Sequence, residues 1–81
     1  MNLMIRIYTA SWCPDSRRAK EFLKQHQLSF DEVDVEAHPE AAEFVKSVNG
    51  GKRKVPTLEV NGRTFHCSPY DPQKLARELG L

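Results

Sequence analysis

The sequence is short of several things that would have fixed its class at once. Two cysteines in 81 residues are too few for a disulfide framework. No apolar run is long enough to cross a bilayer, and Arg6 breaks the first apolar stretch, so there is no charged-then-apolar start of the signal-peptide kind. Charge of one sign is also lacking: 12 Lys and Arg against 11 Asp and Glu leave +1, which gives nucleic acid no global electrostatic attraction. No internal repeat or low-complexity tract is visible. These absences lead us to expect one cytoplasmic domain spanning 1–81, monomeric, with reduced thiols and a modest core, and neither membrane nor nucleic acid as partner.

What is present alternates between strand and helix patterns. Leu3 to Tyr8 is short and mostly apolar, and reads as a buried strand with Arg6 as its one polar interruption. The helix after Cys13 carries Ala19, Phe22 and Leu23 on one face, and His26 extends that stripe as a partly covered structural histidine. Phe30 to Val35 reads as a second strand, and two strands separated by a helix make a parallel, right-handed βαβ unit. Pro39 opens a second helix behind His38, a weak cap. Its stripe is Ala41, Phe44, Val45 and Val48, and Asn49-Gly50-Gly51 stops it. Thr57–Val60 and Arg63–His66 flank Asn61-Gly62, the favoured pair for a type I′ hairpin turn. That turn sets Val60 opposite Arg63, Leu58 opposite Phe65 as a buried pair, and Pro56 opposite Cys67. Asp71-Pro72 caps and opens a last helix carrying Leu75, Ala76 and Leu79, which Gly80 closes. The order β-α-β-α-β-β-α predicts an α/β fold with a mixed four-stranded sheet.

The chemistry concentrates where the first strand meets the first helix. Pro14 suits a first helical position, so Cys13 falls at the helix mouth, facing backbone N–H groups that have no partner in the helix. The positive end of the helix favours a thiolate, the reactive form of cysteine, and Arg17 one turn on adds to the effect. Cys13 therefore reads as an activated nucleophile. Ser16, three residues on, shares its helix face: its hydroxyl either donates to the sulfur or satisfies a backbone N–H. Trp12 is expected to be exposed beside the thiol. Lys52-Arg53-Lys54, before Val55-Pro56, is either a solvated loop or holds a carboxylate of a bound thiol compound. A zinc site from Cys13, Cys67 and His66 matches no standard ligand spacing.

The segment Tyr8-Thr9-x-x-x-Cys13-Pro14-x-x-Arg17, with Val55-Pro56 before a later strand, resembles the glutaredoxins, and the likeness covers nearly all of the chain. It implies a thioredoxin-like fold in its minimal form. It also implies a thiol–disulfide oxidoreductase that needs no metal or tightly bound organic cofactor and uses glutathione as co-substrate on protein disulfides or glutathionylated proteins, in electron transport and cell redox homeostasis. Pro56 would be cis and lie against the active-site turn, with the Val55 backbone pairing to a bound peptide or glutathione. Ser68, Tyr70 and Asp71 would line the site for the γ-glutamyl end of glutathione, where helix N–H groups receive a carboxylate and an aspartate receives an ammonium.

The sequence departs from the family at three places. Cys13-Pro14-Asp15-Ser16 stands in place of Cys-x-x-Cys, so the chain resembles either the monothiol form or a dithiol protein whose resolving cysteine is replaced by Ser16. Ser68-Pro69 replaces a Gly-Gly pair, and Ala10 stands where a lysine is common. The last two changes weaken the glutathione site and give a partial likeness to the ribonucleotide-reductase-linked redoxins, which draw electrons from thioredoxin reductase. A glutathione-dependent iron–sulfur cluster module is a further alternative, although its motif is Cys-Gly-Phe-Ser. Cys67 is a buried passenger, a second resolving thiol, or a trap for glutathione.

Overall fold

A computed structural model describes residues 3–81. The chain runs β1 (Ile5–Thr9), α1 (Pro14–Gln25), β2 (Asp31–Asp34), α2 (Pro39–Ser47), β3 (Thr57–Val60), β4 (Arg63–His66) and α3 (Pro72–Glu78). The strands form one sheet in the order β2-β1-β3-β4. β1 and β2 are parallel, and the β1–β3 and β3–β4 pairs are antiparallel. This is the expected α/β architecture. Among the described residues no helix is long and apolar enough to cross a membrane.

Alternation along β1 sorts the core into two layers. Ile5 and Ile7 join Leu58 and Val60 of β3, Ala19 and Leu23 of α1, and Leu75 of α3 with its C-cap Leu79. Tyr8 points the other way, into a smaller cluster with Val35, Val55 and, from α2, Ala41 and Val45. The Tyr8 ring meets the Phe44 ring at 5.2 Å between centroids. Arg6 lies on this second face but beyond the short α2, which explains one exposed residue inside a buried strand. Each fully buried Leu, Ile or Val contributes about 1.5–3 kcal/mol against the unfolded chain.

The hairpin has the register the turn dictates: Val60 pairs with Arg63 and Leu58 with Phe65. Asn61 and Gly62 have φ of 52° and 85°, the positive values a type I′ turn needs. Asn61 also exchanges bonds with Met4: its Oδ1 accepts from the Met4 N–H at 2.9 Å, and its own N–H donates to Met4 O at 2.9 Å. Leu58 is fully buried but Phe65 only half, because β4 is an edge strand.

Local details correct the sequence reading at three places. β2 is shorter than Phe30–Val35, since only four residues pair with β1. Val48 caps α2 in the open rather than extending its apolar stripe. His26 is exposed at the end of α1, its ring tilted against that of Phe22 with 4.3 Å between centroids. α1 ends without glycine: Gln27 takes φ 57°, its N–H donates to Lys24 O, and the Leu28 N–H donates to Leu23 O, the bond pattern of a Schellman stop.

Candidate active site

Cys13 is the N-cap of α1, with extended backbone (φ −89°, ψ 115°) and Pro14 in the first turn. Its sulfur accepts from the Ser16 N–H at 3.4 Å, satisfying one of the N–H groups that a helix start leaves unpaired. The thiol donates to the Val55 carbonyl at 3.5 Å. Two further bonds brace the turn, from the Cys13 N–H to Ala10 O and from the Arg17 N–H to Cys13 O. Cys13 is only 6% exposed, more covered than a freely accessible thiol. Trp12 beside it is 63% exposed.

Ser16 resolves to one of its two readings. Its hydroxyl oxygen accepts from the Ala10 N–H at 3.5 Å, and the bond to the sulfur comes from its backbone and not from its hydroxyl. At 1% exposure it is a lock on the strand-to-helix turn. Arg17 points outward, and its guanidinium makes no ion pair among the described residues. Arg18, by contrast, reaches Asp15 at 3.3 Å.

The Val55–Pro56 peptide bond is cis, as the resemblance implies, and the loop brings the Val55 carbonyl onto Cys13. Thr57 and Asn49 hold that loop in place. The Thr57 hydroxyl donates to Lys54 O at 2.6 Å, and the Asn49 amide donates to Thr57 Oγ1 at 3.0 Å and to Val45 O at 2.8 Å. Lys52 and Arg53 are exposed on the same loop.

The segment 67–71 closes the other side. Cys67 N–H donates to Pro56 O at 2.9 Å, so the two sit opposite each other as the hairpin register requires. Cys67 is 1% exposed and belongs to the α1–α3 layer, whereas Cys13 belongs to the α2 layer. Its sulfur clamps the start of α3: it accepts from the Asp71 N–H at 3.3 Å and donates to Asp71 O at 3.5 Å. Burial pushes this thiol up from its ordinary value, which keeps it protonated and suits the packing role. Ser68-Pro69 is a second cis bond, which the sequence did not signal. Tyr70 is half-buried against the α1–α3 layer, and its hydroxyl is pushed up by burial and by Cys67. Asp71 is the N-cap of α3, its Oδ1 accepting from the Gln73 and Lys74 N–H groups at 3.0 and 3.1 Å.

The fold adds partners from distant positions at Glu32 and at His66. Glu32 accepts from the Thr9 hydroxyl at 2.8 Å and the Lys20 ammonium at 2.9 Å, tying β2 to β1 and α1. The Lys20 bond holds its carboxyl below the usual range. His66 Nδ1 accepts from the Ser68 N–H at 3.4 Å; burial, then Lys74 and Lys54, lower its pKa from the ordinary value. Two grooves, of ≈ 480 and ≈ 560 Å³, lie away from Cys13. One is at the hairpin-turn end of the sheet and the other is between the start of α2 and the strands. Among the described residues no three His, Cys, Asp or Glu converge to hold a metal ion.

A cysteine capping the helix after the first strand, in contact with a cis-proline loop of a mixed four-stranded sheet, defines a thiol redox protein of thioredoxin-like fold. The glutaredoxin family profile matches residues 5–65. A Mycobacterium tuberculosis protein described as a putative glutaredoxin is 51% identical over 71 residues, covering 86% of this chain and 84% of its own. Mycoredoxin 1 of Corynebacterium glutamicum is 36% identical over 73 residues, covering 90% of each. The NrdH-redoxin of Escherichia coli, a glutaredoxin-like protein with a thioredoxin-like activity profile, superposes with a TM-score of 0.78 at 24% identity, covering 91% and 92% of the two chains. The chain belongs to the glutaredoxin family.

Proposed function

We propose that the protein is a thiol–disulfide oxidoreductase that works through a single nucleophile, Cys13. The Cys13 thiolate attacks one sulfur of a substrate disulfide, R–S–S–R′. A Cys13–S–S–R bond forms, and R′–S⁻ leaves and takes up a proton. A second thiol, glutathione, then attacks the mixed disulfide and regenerates the Cys13 thiolate. On a glutathionylated protein, R is glutathione, and the second step yields oxidised glutathione.

The observation that carries this reading is the position of the Cys13 sulfur at the N-cap of α1, 3.4 Å from the Ser16 N–H. Once the thiol proton leaves, that N–H and the positive end of the helix stabilise the remaining charge. Ser16 offers no thiol, and the clamped, protonated Cys67 is a poor resolving group, so release falls to an external thiol. The Val55 backbone lies beside the sulfur, where a substrate's extended segment can add as a strand.

The electron donor is tested by deglutathionylation coupled either to glutathione with glutathione reductase or to thioredoxin reductase. We expect turnover in the first system and its loss in Cys13→Ser. Turnover confined to thioredoxin reductase would replace glutathione in the second step, and turnover surviving in Cys13→Ser would remove the single-nucleophile mechanism.

A further inference from the structure

Exposed cations flank Cys13 on two sides. Arg17 projects from the first turn of α1, and Lys52 and Arg53 project from the loop whose Val55 carbonyl touches the sulfur. None of the three makes an ion pair among the described residues. Of the nearby carboxylates, Asp15 pairs with Arg18 at 3.3 Å, and Asp71 turns Oδ1 to two N–H groups of α3 and pairs with none of these cations. Asp34, at the end of β2, accepts from the Glu36 N–H at 2.8 Å. Trp12, directly before Cys13 in the chain, is 63% exposed next to a nucleophile that is itself nearly covered. Aromatic anchors ringed by polar residues dominate binding between proteins.

We propose that this face recognises a protein substrate whose reactive disulfide is flanked by acidic residues. In this arrangement Trp12 is the apolar anchor, and Arg17 on one side and Lys52 with Arg53 on the other receive the carboxylates. The inference rests on the Cys13 chemistry proposed above and names the substrate class for it. Unpaired charges on both sides of a reactive atom raise the encounter rate with an oppositely charged partner and set its orientation more than they add affinity. The effect is therefore expected in the rate of the first step and in its salt dependence.

The test uses a short peptide whose single cysteine is disulfide-linked to 2-mercaptoethanol, made with aspartates, asparagines or lysines on both sides of that cysteine. Reduced protein in excess is mixed with each peptide, and consumption of the mixed disulfide is followed. At low ionic strength we expect the aspartate peptide to react about tenfold faster than the asparagine peptide, with the lysine peptide slowest. Added salt should bring the three rates together. In the Lys52→Glu, Arg53→Glu variant the aspartate-to-lysine rate ratio should invert, and this ratio is internal to each protein preparation. S-methylglutathione, which carries carboxylates but no reactive thiol, should leave the aspartate-to-asparagine ratio unchanged.

Equal rates for the three peptides would overturn the proposal, as would a ratio that survives charge reversal. A ratio abolished by S-methylglutathione would assign the cations to a small thiol's carboxylates instead. If neither the peptides nor 2-hydroxyethyl disulfide react at all, the Cys13 mechanism itself fails, and the acidic-substrate assignment fails with it.

Discussion

At the scale of single residues, the two cysteines divide the chemistry unequally. Cys13 sits at a helix start beside a carbonyl and an N–H, whereas Cys67 is fully buried and bonded at both ends to Asp71. Native protein treated with iodoacetamide should be alkylated at Cys13 alone, with Cys67 reacting only after denaturation; peptide mass mapping reads this directly. Cys67→Ala should cost about 1–3 kcal/mol in denaturant unfolding, since it removes buried volume and both contacts to the α3 cap. The same variant should still form one mixed disulfide with glutathione, and loss of that adduct would restore Cys67 as a partner thiol. Ser16 allows a complementary experiment. Its position one turn into the helix suits the Cα separation of a disulfide with Cys13. Ser16→Cys should therefore oxidise to an intramolecular bond, at the expense of the hydroxyl's bond from the Ala10 N–H. A variant that oxidises no faster than the parent would show that the turn does not carry both sulfurs toward each other.

At the scale of elements, α3 depends on Asp71. The helix has seven residues, too few to be stable alone, yet it carries Leu75 and Leu79 into the main core layer. Asp71→Ala should lower stability by about 1 kcal/mol by removing the cap. Asp71→Asn keeps an accepting oxygen and so should recover most of that loss. If Asp71 also receives the ammonium of glutathione, Asp71→Asn should raise the KM for glutathione while leaving stability near the parent's. An unchanged KM would restrict the residue to capping.

Most elements were legible in the sequence because their signals are local. Proline opens all three helices, Asn61-Gly62 fixes the hairpin, and Gly80 ends α3. The stop of α1 was not legible, because Gln27 takes a conformation usually left to glycine or asparagine. The exposure of Val48 was not legible either, since helical periodicity alone does not show where the partner surface ends.

At the scale of the whole molecule, Glu32 links three elements through Thr9 and Lys20. Its carboxyl is held below the usual range, so the folded chain binds fewer protons than the unfolded chain as the medium is acidified. Its contribution is complete above the ordinary carboxylate range and fades as pH falls through the lowered value. His66 acts in the same direction: its pKa is lowered by burial, Lys74 and Lys54, and the stability it lends above its ordinary value is lost on acidification below it. The Lys20–Glu32 pair is partly open to solvent, so screening reduces its worth. Glu32→Gln should destabilise by about 0.5 kcal/mol at neutral pH and by less near about pH 3, measured as the shift in urea midpoint. An equal shift at both pH values would mean that the glutamate acts by packing and not by charge.

The sequence by itself determined the order of elements, the hairpin register and the placing of Cys13 at a helix mouth, because each follows from residues within a few positions of one another. Proline, glycine and alternation act through backbone geometry that neighbours alone can satisfy. Only the tertiary structure decided what Cys67, Ser16 and Glu32 do, since their partners lie on other elements or across a turn. Cys67 faces the start of α3 and not Cys13, and the Ser16 hydroxyl bonds back to Ala10 while only the Ser16 N–H reaches the sulfur. Glu32 finds Lys20 only once α1 lies over the sheet. A side chain's reach is local, but whether it meets a thiol, a helix end or an ammonium depends on how separate elements share one small core.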